Sequence, residues 1–437
     1  MLRLLSRGIL VVAVAATCLA SGAGAQIFPS AVGGVSVDAD GVLEAPTQAE
    51  EEALAAARAR IDLGVPKDLE KYEELRAVSL KWLEASIAQA TAEGKDVPAA
   101  VAYVAGLQRV RYVFAFPERG DVVLVGPAEG WKIDRLGNVV GATTNRPVIL
   151  LDDLLAGLRS GAPSRLEPIT CSIDPSPEGL ARAQALFARM SRMGDPDETA
   201  TAVEEALGPQ RITVTGIPAT SRFARTMVAA DFRMKRIAMG FEPAPVGGLP
   251  SFVQMMSGRS ATMTPRWWLA PSYEPLAQTA DGLSWELRGP GVKCLSESEF
   301  VAADGQRQRT GQSDPLAAKW AAMMTAAYEE LATHDSTFGQ LRNLMDLAVV
   351  GALVEREQMF ERAGLDAPQL RGELPLARFA AATQTSSKAT LLKKGRNWIV
   401  TASGGVEMLP WQIVEKHETV AALAEVREKF AAANGAY

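Results

Sequence analysis

The order of hydrophobic periods between residues 169 and 240 constrains the fold most. An apolar strand at 169–173 precedes helical patterns at 177–193 and 197–207, then a strand at 211–215 and a helix at 221–240. Strands alternating with helices favour a layered α/β or α+β arrangement. A β-rich stretch at 266–295 follows, broken by Pro271, Pro275 and Gly289-Pro290-Gly291. Two long helices are expected at 316–333 and 338–363. A small β-hairpin unit is expected at 388–408, around Lys394-Gly395 and Gly404-Gly405, and a charged helix from Glu415.

Upstream, residues 46–62 read as an exposed helix. Residues 67–93 read as a stronger one, with Leu69, Tyr72, Leu75, Trp82, Leu83 and Ile87 on its apolar side. Alternation at 109–116 predicts a half-buried strand, followed by strands at 121–125, 131–133 and 139–140 and a helix at 152–159. Val37-Asp38-Ala39-Asp40-Gly41 and Ile133-Asp134-Arg135-Leu136-Gly137 echo one another as hairpin turns. The expected class is α+β: mixed layered α/β units, a helical C-terminal part and the small hairpin. The expected segments are 26–64 (connecting), 65–163 (helix plus β), 164–304 (central α/β with a β-rich end) and 305–437 (helical).

Residues 1–25 read as a secretory signal peptide. Arg3 and Arg7 precede an uncharged apolar run at 8–20, and Ala23-Gly24-Ala25 forms an A-x-A site that predicts cleavage after Ala25. The expected location is therefore periplasmic or extracellular. Losing two arginines takes the formal net charge from −6 to −8. An acidic chain gains nothing from general attraction to nucleic acid, so no nucleic-acid partner is expected. No later apolar run reaches the ~20 residues of a transmembrane helix; 344–354 reads as a buried core helix.

Beyond the leader only Cys171 and Cys294 remain. Both occupy apolar strand faces, which admits either a disulfide or two buried thiols. His334 and His417 lie far apart, each beside an acid and expected at or near a helix end. No His/Cys cluster, H-E-x-x-H, Walker loop, G-x-S-x-G or S-x-x-K is present. Asp38 to Gly41 fails as a calcium loop, because the twelfth position falls on Thr47 instead of glutamate. Neither a metal nor a cofactor is expected.

Three places could hold a site. The helix at 221–240 carries Arg222, Arg225, Arg233, Lys235 and Arg236 against one acid, Asp231. It reads either as a docking or anion-binding surface or as an amphipathic helix with solvated arginines and an i,i+4 Asp231–Lys235 pair. Trp267 and Trp268 face opposite sides of a strand, so one could present its indole to a sugar or peptide. Arg342 and Asp346 stand at i,i+4 in an apolar helix beside Asn343, which reads either as a structural pair or as a buried acid with a functional role.

Four blocks carry a resemblance: Ile169-Thr170-Cys171-Ser172-Ile173-Asp174-Pro175, Ala229-Ala230-Asp231-Phe232-Arg233-Met234-Lys235, Pro265-Arg266-Trp267-Trp268-Leu269-Ala270-Pro271, and Phe338-Gly339-Gln340-Leu341-Arg342-Asn343-Leu344-Met345-Asp346-Leu347. With them the chain resembles a family of exported proteins of unknown function from planctomycete bacteria, over about residues 112–350. That resemblance implies export and a single architecture and brings no catalytic residues. The reading leans to a non-enzymatic envelope or extracellular protein that binds a partner or polymer, or serves a structural role. The alternative is a hydrolase, for example on glycans, built from dispersed carboxylates.

Overall fold

The computed structural model describes residues 31–32, 34–58, 63–190, 195–256, 265–301, 307–309, 311–390 and 401–431. The leader and the Lys394-Gly395 turn lie outside the described residues.

The strands are β1 (Ala31–Val32), β2 (Val35–Val37), β3 (Val42–Glu44), β4 (Glu73–Ser79), β5 (Tyr112–Phe116), β6 (Asp121–Ala128), β7 (Trp131–Ile133), β8 (Val139–Gly141), β9 (Ile169–Pro175), β10 (Gln210–Thr215), β11 (Arg266–Ser272), β12 (Leu276–Gln278), β13 (Ser284–Glu286), β14 (Gly291–Glu297), β15 (Glu299–Val301), β16 (Arg307–Arg309), β17 (Gln384–Thr385), β18 (Ser403–Met408) and β19 (His417–Thr419). The α-helices are α1 (Gln48–Arg58), α2 (Leu80–Glu93), α3 (Ala99–Ala102), α4 (Leu151–Ser160), α5 (Pro177–Arg189), α6 (Pro196–Leu207), α7 (Arg222–Met239), α8 (Phe252–Met255), α9 (Pro315–Ala326), α10 (Tyr328–His334), α11 (Ser336–Arg356), α12 (Met359–Ala363), α13 (Pro410–Val414) and α14 (Leu423–Ala431).

The class is α+β. A nine-stranded mixed sheet runs β1-β2-β3-β17-β10-β9-β18-β11-β14, and a six-stranded one runs β19-β12-β13-β5-β6-β4. α7 lies on the larger sheet, where Phe223, Met227, Met234 and Ile237 join Cys171 and Ile173 in one core. The central helix α11 serves both sheets. Phe338, Leu341, Leu344 and Met345 enter the larger sheet's core, whereas Leu347, Val350 and Leu353 enter the core that includes Val113 and Leu124 of the smaller sheet. α4 crosses α11 closely enough that a Cβ on Gly351 would strike the Gly157 carbonyl.

The predicted helix over 67–93 is half strand. Glu73–Ser79 pairs antiparallel with β6, and α2 begins only at Leu80, capped by Ser79. Arg76 is buried there and donates to the Leu69, Lys71 and Ala105 carbonyls, a long-range anchorage that outweighs local helix preference. The C-terminal expectation also changes. β18 is a central strand, antiparallel to β9 and parallel to β11, so it completes the main sheet. His417 sits on the strand β19, its ring nitrogens 2.8 Å from Gln278 Nε2 and 3.2 Å from Arg356 Nη2, and the final helix starts at Leu423. The two echoing turns share one geometry. Asp38 Oδ1 accepts from the Asp40 and Val42 amides, and Asp134 Oδ1 from those of Leu136 and Asn138.

No disulfide joins Cys171 to Cys294; both are free and buried. They end one cross-sheet row, Cys171–Val406–Leu269–Cys294, three strand spacings or roughly 14 Å apart. A bridge needs α-carbons within about 7 Å. Burial pushes both thiols up, so they act as small core side chains.

Candidate functional site

The basic helix is real, but its charges point inward. Ser221 caps α7 by accepting from the Ala224 amide, and Gly240 closes it in the left-handed conformation. Arg222 pairs with buried Asp153, whose carboxyl burial pushes up to about 6 against the pull of Arg222. Arg225 is also buried and lies over the Phe379 ring; burial, with Arg222 nearby, lowers it to about 10. Arg233 bridges Asp335 and Glu242, and Arg236 Nε donates to Glu242 Oε2 at 2.9 Å. The expected surface of solvated arginines is therefore corrected to a helix that ties elements together. Arg222, Arg233 and Arg236 find acids on α4, α11's N-cap and the loop after α7.

The Asp231–Lys235 pair forms, and it is interior. Lys235 Nζ donates to Ile173 O (2.7 Å), Asp231 Oδ2 (2.8 Å) and Gly404 O (3.1 Å), which uses all three ammonium hydrogens. Asp231 Oδ1 has no partner among the described residues. Burial pushes its carboxyl up to about 7, although Lys235 pulls it down. Gly404 makes the junction possible: its φ of +124° turns the peptide so that the carbonyl meets Lys235 while the N–H reaches Asp174 Oδ1 at 3.2 Å. A Cβ there would strike the Trp267 carbonyl. Arg266 adds a longer contact to Asp174 at 3.4 Å and lies 4.0 Å over the Trp268 ring.

Beside this pair, between the C-terminal half of α7 and the sheet, lies a cavity of about 330 Å³. Ile173, Leu43 and Met239 line its apolar side, and Gln210, Thr385 and Thr401 its polar side. Gln210 Nε2 donates to Thr401 Oγ1 at 3.1 Å. Lys235 stands in the wall with Arg236 and Lys388, and Glu44 is the single acid among the lining residues. Exposed Lys388 meets half-buried Glu204 at 3.4 Å.

The tryptophans separate as their alternation requires. Trp267 is fully buried, 4.7 Å from the Trp320 ring centre and 5.1 Å from that of Phe252, and Nε1 donates to Ala317 O. Trp268 is half-buried under Arg266 rather than free for a sugar.

The expected Arg342–Asp346 pair is replaced. Asp346 accepts from Arg109 Nε (2.9 Å) and Tyr273 Oη (2.6 Å), while Arg342 donates to Glu329 at 2.7 Å. Asn343 Nδ2 donates to the Pro147 carbonyl.

Sequence reasoning named Lys235 and Arg236. It missed Gln210, Thr385, Thr401 and the special role of Gly404, because a two-residue strand such as β17 carries no periodic signal.

Residues 171–252 match the model of a family described as protein of unknown function, DUF1598. No curated protein and no solved structure matches the chain. The matched segment supplies Ile173, Gln210, Lys235, Arg236 and Met239, one wall of the cavity; β3, β17 and the two residues before β18, Thr401 and Ala402, supply the other. Among the described residues, no helix is long and apolar enough to cross a membrane, and no three His, Cys, Asp or Glu side chains group to hold a metal.

Proposed function

We propose that this is an exported bacterial protein of the periplasm or extracellular space that binds a ligand without transforming it, in the cavity between α7 and the nine-stranded sheet. The observation that carries the reading is the makeup of that cavity: an apolar side and three cationic side chains against one acid. Lys235, with every hydrogen engaged, serves as a fixed wall and not as a nucleophile. A glycoside hydrolase of the two-carboxylate kind would need two acids facing across a cleft about 5–10 Å apart; the cavity lining carries one acid, Glu44, and Asp231 is buried against Lys235. Export rests on the basic start, apolar run and A-x-A site within residues 1–25. A docking surface on α7 is disfavoured, because Arg222 and Arg225 are buried and Arg233 and Arg236 are paired with acids of this chain.

The test is native mass spectrometry of the protein recovered from outside the cytoplasm of an expressing bacterium. The expected result is a chain beginning at Gln26 with a small molecule that is released unaltered. That molecule should be lost in Ala402→Phe, which fills the cavity. A cytoplasmic chain retaining its leader would sink the export reading; a chemically converted ligand, or one retained by Ala402→Phe, would sink the binding reading.

A further inference from the structure

The cavity has a neighbour. On the other side of Met239 and Phe241 lies a second space of about 380 Å³, lined also by Ala200, Val253 and Ala389. Met239 and Phe241 line both spaces. Phe241 is one of the few large apolar side chains left exposed, and methionine is an adaptable divider. The two spaces differ in charge. The first holds Lys235, Arg236 and Lys388 against Glu44; the second has Asp197 as its charged residue.

Among the cations, Lys235 is saturated by three acceptors. Arg236 gives only Nε to Glu242, and its Nη groups meet no acceptor among the described residues. Lys388 is exposed and only loosely paired with Glu204. Arg236 and Lys388 are therefore the groups able to receive an anion. At roughly 30 Å³ per water-sized group, the first space alone takes about ten non-hydrogen atoms.

We propose that the paired cavities hold a free single-chain fatty carboxylate, with its carboxylate at Arg236 and Lys388 and its alkyl chain running past Met239 toward the second space. The orientation follows from charge: Asp197 repels an anionic head at the far end, and the cations attract it at the near one. The apolar walls formed by Leu43, Ile173, Phe232 and Met239 accept the chain. Such sites combine apolar walls with a few polar groups that fix orientation. This ligand class rests on the binding reading above.

The test is calorimetric titration of the purified full chain with decanoate, decanol, decylamine and acetate. Decanoate should bind one to one, decanol and decylamine at least ~10-fold more weakly, and acetate not measurably. Lengthening the carboxylate should tighten binding by roughly fourfold per methylene until the second space is filled. An Arg236→Gln, Lys388→Gln double variant should weaken decanoate about 10-fold and leave decanol unchanged. Equal binding of decanol and decanoate, no saturation by decanoate, or no effect of the double variant overturns the proposal. If decanoate fails but Ala402→Phe still strips a molecule from the native protein, only the ligand class falls. If Ala402→Phe strips nothing, the binding reading falls with it.

Discussion

α7 and α11 carry the same pattern with opposite outcomes. Each is a long buried helix with a basic residue and an aspartate four positions apart. In α7 the acid comes first, and Asp231 closes on Lys235 at 2.8 Å. In α11 the base comes first, and Arg342 turns to Glu329 while Asp346 is held by Arg109 and Tyr273. The acid-first order suits an i,i+4 pair better, because side chains lean toward the helix N-terminus and the helix dipole adds to the preference. Spacing alone thus does not specify a pair. Order sets the local preference, and partners from other elements decide the rest. The two arrangements also do different work. The α7 pair pins the helix to β9 and β18 beside a cavity, whereas Asp346 joins α11 to residues 237 and 73 positions away in sequence.

The largest effect should come from Asp346→Ala. It takes the hydrogen-bond acceptor from half-buried Tyr273 and leaves half-buried Arg109 only the Gly289 carbonyl, and a loss of about 3–4 kcal/mol in urea unfolding is expected. Asp231→Ala should cost less, about 2–3 kcal/mol, because Lys235 keeps two carbonyl acceptors. The reverse ranking would break the comparison.

Double-mutant cycles sharpen it. Asp231 and Lys235 should couple by at least about 1 kcal/mol, and Arg342 and Asp346 by less than about 0.5 kcal/mol. Equal couplings would mean that the α11 residues do interact as a pair.

The smallest effect is in pH dependence. Burial, opposed by Lys235, lifts Asp231 from its ordinary 3.8 to about 7. Between those values the folded protein binds more protons than the unfolded chain, so this group's contribution to stability falls as pH rises from about 4 to 7. Asp231→Asn should therefore lower the melting temperature less at pH 8 than at pH 5. A deficit independent of pH would show that Asp231 titrates normally in the fold.

Much of the central unit was legible because its signals are local. The strands expected at 169–173 and 211–215 fall on β9 and β10, the helix expected at 221–240 falls on α7, and the paired turns at Asp38 and Asp134 were visible as repeated residues. The strand at Glu73–Ser79 was not legible, because it is made by pairing with β6 and by the burial of Arg76, both set by distant residues. The same holds for β18, which takes a central place between β9 and β11. The cavity was half legible: Lys235 and Arg236 stood out by charge, whereas Thr385 and Thr401 reach it only through sheet topology.

By itself the sequence determined the α+β class, the α7 helix and the concentration of cations on it, because these depend on spacing along one segment. Only the tertiary structure decided that those cations face inward, that Cys171 and Cys294 stay apart in one sheet row, and that Asp346 belongs to Arg109. Each outcome depends on which buried group a side chain meets across the fold, and a buried charge takes the partner that satisfies it, however far away in sequence.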